Sequence, residues 1–172
     1  MTSTETKLND VEIEAVGSLV GAIQDDPGKA STTWAAEVRW LGGFRSEAQI
    51  REFTPTPSDE PLGLGGADTA ANPVEQLLGA LGNCLAVGYA ANATVLGIEL
   101  NDVRIELDGD LDLHTFLGLT DGNAGFESIR ARVHLDTDAD QAELDELHAK
   151  VTSTSPVGHT LTRAVPVDID LA

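Results

Sequence analysis

Cysteine occurs once in this chain, at Cys84, so no internal disulfide can form. At 172 residues the chain can bury a core of its own, and neither a disulfide nor a metal is needed to staple it. A single thiol fits a reducing, cytoplasmic setting. The opening stretch "MTSTETKLNDVEIEAV" lacks the basic start and apolar core of a signal peptide, so export is not expected. Basic residues are also scarce: 10 against 29 acidic ones, for a formal charge of −19. Phosphate backbones and anionic lipid surfaces would be repelled, which argues against nucleic acid or a membrane surface as partner. The acidic excess serves solubility. With lysine only at Lys7, Lys29 and Lys150, it also fits adaptation to high salt. One long apolar run is present, from Leu77 to Ile98. Asn83 and Asn92 interrupt it and no basic cluster flanks it, so it reads as a helix buried in a soluble core rather than a membrane span.

Periodicity divides the rest. Apolar residues from Val16 onward (Val16, Leu19, Val20, Ile23) fall at helical spacing within Leu8 to Ile23, and "DDPGK" ends that helix. Residues 1–29 are expected to form an N-terminal helical arm and residues 30–172 the main domain. "TTWAAEVRWLGGFRSEAQIREF" reads as two strands around Gly42-Gly43, the second running from Phe44 to Phe53. "TPTPSDEPLGLGGADTAANP" is a loop, and its "GLGG" lacks the Lys-Ser/Thr of a phosphate loop. Asn72 caps a helix opened by Pro73, which runs to about Leu96 and ends at Gly97. Gly79, Gly82, Ala86, Ala90 and Ala93 would form a narrow stripe on it, open to close approach by another backbone, including the same helix of a second subunit. Strands follow at "NDVRIELDGDLDL" and "FESIRARVHLDTD", separated by the loop "HTFLGLTDGNAG". Then come helices at "ADQAELDELHAKVTSTS" and "PVGHTLTRA", and a closing strand at "VPVDIDL". The pattern predicts an α+β fold in which sheets wrap one buried helix.

Most chemical motifs fail on inspection. "DGDLDL" and "DTDADQ" echo a calcium loop but put Leu113 and Gln141 where the glycine turn belongs, and Leu119 and Leu147 where the closing glutamate belongs. His114, His134, His148 and His159 show no ligand spacing, so no metal centre or cofactor is expected. Ser155 and His159 lie one helical turn apart, but Ser155-Pro156 fits a helix N-cap and first residue better than a nucleophile. Cys84 stays open between two readings. A lone cysteine in an apolar helix is ordinarily a small buried hydrophobe. A reactive thiol needs its thiolate stabilised by a cation or hydrogen-bond donors, and Arg39, Arg45 and Arg51 are the cations at hand.

The segment "NPVEQLLGALGNCLAVGYAANATVLGI" resembles the central helix of the OsmC/Ohr family, thiol-dependent hydroperoxide reductases and their relatives. "RWLGGFRSEAQI", "LDGDLDLHTFLGL", "GFESIRARVHLD" and "SPVGHTLTRAVPVDI" resemble the same family, in the same order, from about Ala30 onward. The resemblance implies antiparallel sheets wrapping a long central helix in an intertwined homodimer. It maps the peroxidatic cysteine onto Cys84 and the activating arginine onto Arg45. It also shows two departures. The family's second cysteine, before a proline late in the chain, is here Ser155. The acidic residue that follows the helix-opening proline is here Val74, with Glu75 one position on, about 100° around the helix. The resemblance therefore implies a one-cysteine peroxidase that acts on organic hydroperoxides and is regenerated by an external thiol reductant. The rival expectation is a non-catalytic dimer of the same fold that binds a small apolar ligand.

Overall fold

A computed structural model describes residues 7–171; residues 1–6 of the expected arm, and Ala172, lie outside the described residues. The chain divides into two compact units, residues 14–77 and residues 7–13 with 78–171. Among the described residues no helix is long and apolar enough to cross a membrane.

The first unit holds helix α1 (Ile13–Asp25, which starts at the boundary) and an antiparallel sheet in the order β1-β2-β3: Glu37–Gly42, Arg45–Gln49 and Thr56–Ser58. The β1–β2 hairpin closes where expected, because Gly42 and Gly43 take φ of 96° and 61°, values that glycine adopts without strain. The second strand is shorter than predicted. It stops at Gln49, where the Gln49 side chain turns back to donate to the Arg51 and Phe53 carbonyls and Arg51 takes φ 48°. The proline-rich loop is not structureless either, since Thr56–Ser58 pairs with β2 as β3. After β3, the buried Asp59 carboxylate gathers the amides of Glu60, Ala67 and Thr69 and the Thr69 hydroxyl. These bonds, the Thr69 hydroxyl first, hold its pKa below the usual carboxylate value. The unit ends in the first turn of helix α2 (Pro73–Leu96).

The second unit is built around the remainder of α2. Its buried positions Leu81, Leu85, Tyr89 and Ala93 recur every four residues and form one face. Strands β4 (Asp102–Leu111) and β5 (Phe126–Asp136) pair antiparallel, joined through the short helix α3 (Leu113–Phe116), which the sequence reading took for loop. Val103, Ile105, Leu107, Ile129, Val133 and Leu135 alternate along the two strands and pack against the core. Helix α4 (Gln141–Thr154) opens on a capping box between Asp140 and Glu143 and buries Leu147 and Val151. Helix α5 (Pro156–Thr162) follows directly, with Ser155 as its cap. Asn9 fastens the start of the chain to this unit. Its side chain donates to the Ile98 carbonyl and accepts from the Leu100 amide.

Two further expectations change. The small-residue stripe of α2 does not form a single free face. Gly82 lies so close to β4 that a Cβ there would sit 2.9 Å from Leu107 Cδ1, and Ala93 is fully buried. Gly88, outside the stripe, makes the same kind of room for Val151 of α4, at 3.0 Å. The chain's own β4 and α4 thus take up the close approaches at Gly82 and Gly88, Gly79 has open space around it, and Val87 and Val95 stand exposed on another side of the helix. The segment "VPVDIDL" also forms no strand. Val165, Val167, Ile169 and Leu171 alternate as a strand would, but all four are exposed, and a strand exists only where its amides and carbonyls find a partner.

Candidate functional site around Cys84

Cys84 occupies the middle of α2, one residue from the buried Leu85, and is half-buried. Its sulfur lies 3.2 Å from the Ser155 hydroxyl, across 71 residues of sequence. Two local rules deliver Ser155 to that place. The capping box fixes where α4 begins, and the buried Leu147 and Val151 seat that helix on α2, so its C-terminal end arrives beside Cys84. Ser155-Pro156 then switches the chain from α4 to α5. Ser155 is extended (φ −69°, ψ 112°), as a residue before proline prefers, and its side chain accepts from the Gly158 amide at 3.1 Å. Only 6% of Ser155 is exposed.

A cavity of about 270 Å³ lies in the same unit, lined by residues of α2, β5 and α5 that include Leu81, Phe126, Ile129 and Gly158 but neither Cys84 nor Ser155. Leu81 precedes Cys84 by three residues on α2, and Gly158 follows Ser155 by three on α5. Its lining is mixed, the apolar Leu81, Phe126, Ile129 and Leu161 beside the polar Glu127, Ser128 and Thr162.

The other expected site residues belong to the unit of residues 14–77. Arg39 is tied to Glu37 at 2.9 Å, and the Arg51 guanidinium lies 4.5 Å from the centre of the Phe53 ring. Arg45 opens β2 and is exposed, its guanidinium 4.0 Å from where a Cβ on Gly42 would stand. Glu75 has a local occupation. Its carboxylate accepts from the Asn72 amide at 2.8 Å while Asn72 Oδ1 accepts from the Glu75 amide at 2.9 Å, a reciprocal cap on α2. The structure therefore brings Cys84 and Ser155 together, while Arg45 lies on β2 and Glu75 is engaged in the cap of the first turn of α2, nine residues before Cys84.

His114 pairs with Asp112 and His134 with Glu106, both on the surface, and His159 sits on α5. His148 is different. Its Nδ1 shares a hydrogen bond with the Tyr89 hydroxyl at 2.5 Å, and burial pushes the Tyr89 pKa up, which keeps the phenol protonated. Sequence reasoning did not find this pair, nor the part played by Gly158. Tyr89 and His148 had no legible signal, being joined only by tertiary packing. Among the described residues no cluster of three or more His, Cys, Asp or Glu could hold a metal ion.

Comparison with known proteins agrees with this architecture. The chain resembles an OsmC-like protein from Mycoplasma pneumoniae at 18% identity and a TM-score of 0.66, over 77% of this chain and 89% of that one. It resembles an organic hydroperoxide resistance protein from Legionella pneumophila at 20% identity and a TM-score of 0.59, over 76% and 91%. An organic hydroperoxide resistance protein from Elizabethkingia anophelis, crystallised with thiocyanate bound, gives 17% identity and 0.55, over 75% and 89%. At such identities the likeness is one of fold. No curated protein matches the sequence significantly. The family model described as OsmC-like protein matches residues 65–170, more than half of the chain and the whole stretch from before α2 to the C-terminal segment, so the chain belongs to the OsmC-like protein family.

Proposed function

We propose that this protein reduces organic hydroperoxides through Cys84 alone, with an external thiol completing the cycle. The observation that carries the reading is the meeting of the chain's only thiol with a buried hydroxyl, and a partly apolar cavity lined by Leu81 and Gly158, three residues from each partner, supports it. Relatives of the same fold that are named organic hydroperoxide resistance proteins support the substrate class. In the first step the Cys84 thiolate attacks the distal peroxide oxygen and the O–O bond breaks. An alcohol leaves with one proton and Cys84 becomes a sulfenic acid. Ser155 has no thiol to condense with it. One external thiol therefore forms a mixed disulfide and releases water, and a second displaces it, restoring Cys84 and leaving the external disulfide. Arg45 is assigned to the thiolate by the family resemblance, in a homodimer that the exposed Val87 and Val95 of α2 and the exposed C-terminal residues Val165, Val167, Ile169 and Leu171 would help to bury. Glu75 is assigned to capping alone.

Purified protein is expected to consume cumene hydroperoxide in the presence of a dithiol, and Cys84→Ser to abolish this. Equal turnover by Cys84→Ser would end the proposal. The cavity lined by Leu81, Phe126, Ile129 and Leu161 also favours a second reading, a dimer that binds a small apolar ligand with Cys84 inert. Ligand binding that survives in Cys84→Ser, together with no turnover in the parent protein, would select it.

A further inference from the structure

We infer that Ser155 is a dedicated hydrogen-bond donor to the Cys84 sulfur, so that the residue standing in place of a second thiol poises the first. The inference deepens the peroxide reading and rests on it for its purpose. A serine hydroxyl has one proton and two lone pairs. One lone pair is taken, because the Gly158 amide donates to Ser155 Oγ at 3.1 Å. Among the described residues, the only other side-chain partner of that oxygen is Cys84 Sγ at 3.2 Å. With 6% of Ser155 exposed, water is largely excluded as an alternative. The second lone pair leaves a neutral thiol free to donate to Oγ, but a thiolate has no proton to give, so in the ionised state the hydroxyl proton goes to sulfur.

The contact discriminates between the two states of that sulfur. A neutral thiol is a weak acceptor, whereas a thiolate accepts a charge-assisted bond about twice as strong. The donation thus favours ionised Cys84 without any cation. The surrounding sequence maintains the geometry. Pro156 holds Ser155 extended, and Gly158 leaves room beside the hydroxyl, since a Cβ there would come 3.0 Å from Ser155 Oγ. One oxygen serves both the helix cap and the sulfur, and serine is small enough to do both.

The test reads Cys84 alkylation by iodoacetamide, at neutral pH and at alkaline pH where the thiol is fully ionised, with the melting temperature recorded alongside. Ser155→Ala is expected to lower the ratio of the neutral to the alkaline rate about tenfold, the worth of one hydrogen bond to a charged group, while the alkaline rate itself rises about threefold, because a thiolate freed of that bond is more nucleophilic. Ser155→Gly, which a helix cap tolerates better than alanine, should show the same loss if Ser155→Ala folds poorly. Ser155→Thr, which restores a hydroxyl, should recover most of the ratio. If both hydroxyl-free variants melt lower but keep the parent ratio of neutral to alkaline rates, Ser155 is a cap and nothing more, and the inference is overturned. No peroxide enters the assay, so a lost ratio in a protein that consumes no hydroperoxide would refute the peroxidase reading and leave this one standing.

Discussion

Replacing Ser155 by cysteine converts the hydrogen bond at the site into a measurable covalent link. The parent contact is 3.2 Å from Sγ to Oγ, and a disulfide needs about 2.05 Å between sulfurs, so the longer C–S bond and a small rotamer adjustment close the difference. The bond would close a loop of 71 residues. Chain-entropy reasoning then gives about 15 cal/mol/K removed from the unfolded ensemble, or about 4 kcal/mol at 25 °C. In a protein of this length 1 kcal/mol moves the melting point by roughly 2–4 °C, so oxidised Ser155→Cys should melt roughly 8–16 °C above its own reduced form. That comparison cancels the loss of the α5 cap, which lowers both forms by about 1 kcal/mol. The assay is a melt of Ser155→Cys with and without a reductant, beside a thiol count on the denatured protein after mild oxidation. Two titratable thiols after oxidation, or equal melting points in the two forms, would refute the close placement of α2 and the α4–α5 junction on which the site depends.

Packing in the same unit should be as demanding. Gly88→Ala pushes a Cβ to 3.0 Å from Val151 Cγ1 and is expected to destabilise by about 1–3 kcal/mol in urea unfolding, while an unchanged midpoint would mean that α4 is not seated as described. Asn72→Ala removes the α2 cap and should lower stability by about 1 kcal/mol while leaving hydroperoxide turnover intact; a turnover loss larger than the stability loss would place the Asn72–Glu75 pair in the chemistry instead. Glu106 is held at about 2, chiefly by its hydrogen bond to Arg104 and then by His134. Its folded value lies below the unfolded glutamate value near 4.3, so its contribution to stability is fully present above that pH and is lost as pH falls towards 2. A carboxyl NMR titration should find the midpoint well below 4 and Arg104→Ala should raise it, whereas an ordinary midpoint in the parent would dissolve the pairing.

Residues with strong local rules were legible from sequence alone. Asn72-Pro73 and Gly97 bound α2 because capping and positive φ are decided within a few residues, and β4 and β5 were readable because their alternation faces one buried surface. Ser155-Pro156 announced a cap for the same reason. Where the local signal was real but incomplete, the structure decided. The residues of "VPVDIDL" alternate, yet among the described residues the segment pairs with no strand, and the pairing of Thr56–Ser58 with β2 was invisible in a proline-rich stretch. The small residues of α2 predicted close approach, but only packing settled that Leu107 and Val151 make it. The meeting of Cys84 with Ser155 lies furthest from sequence, because it spans 71 residues and depends on the seating of Leu147 and Val151 against α2. A sequence fixes what each residue can donate or accept, whereas tertiary structure alone fixes which atoms stand close enough to exchange a proton.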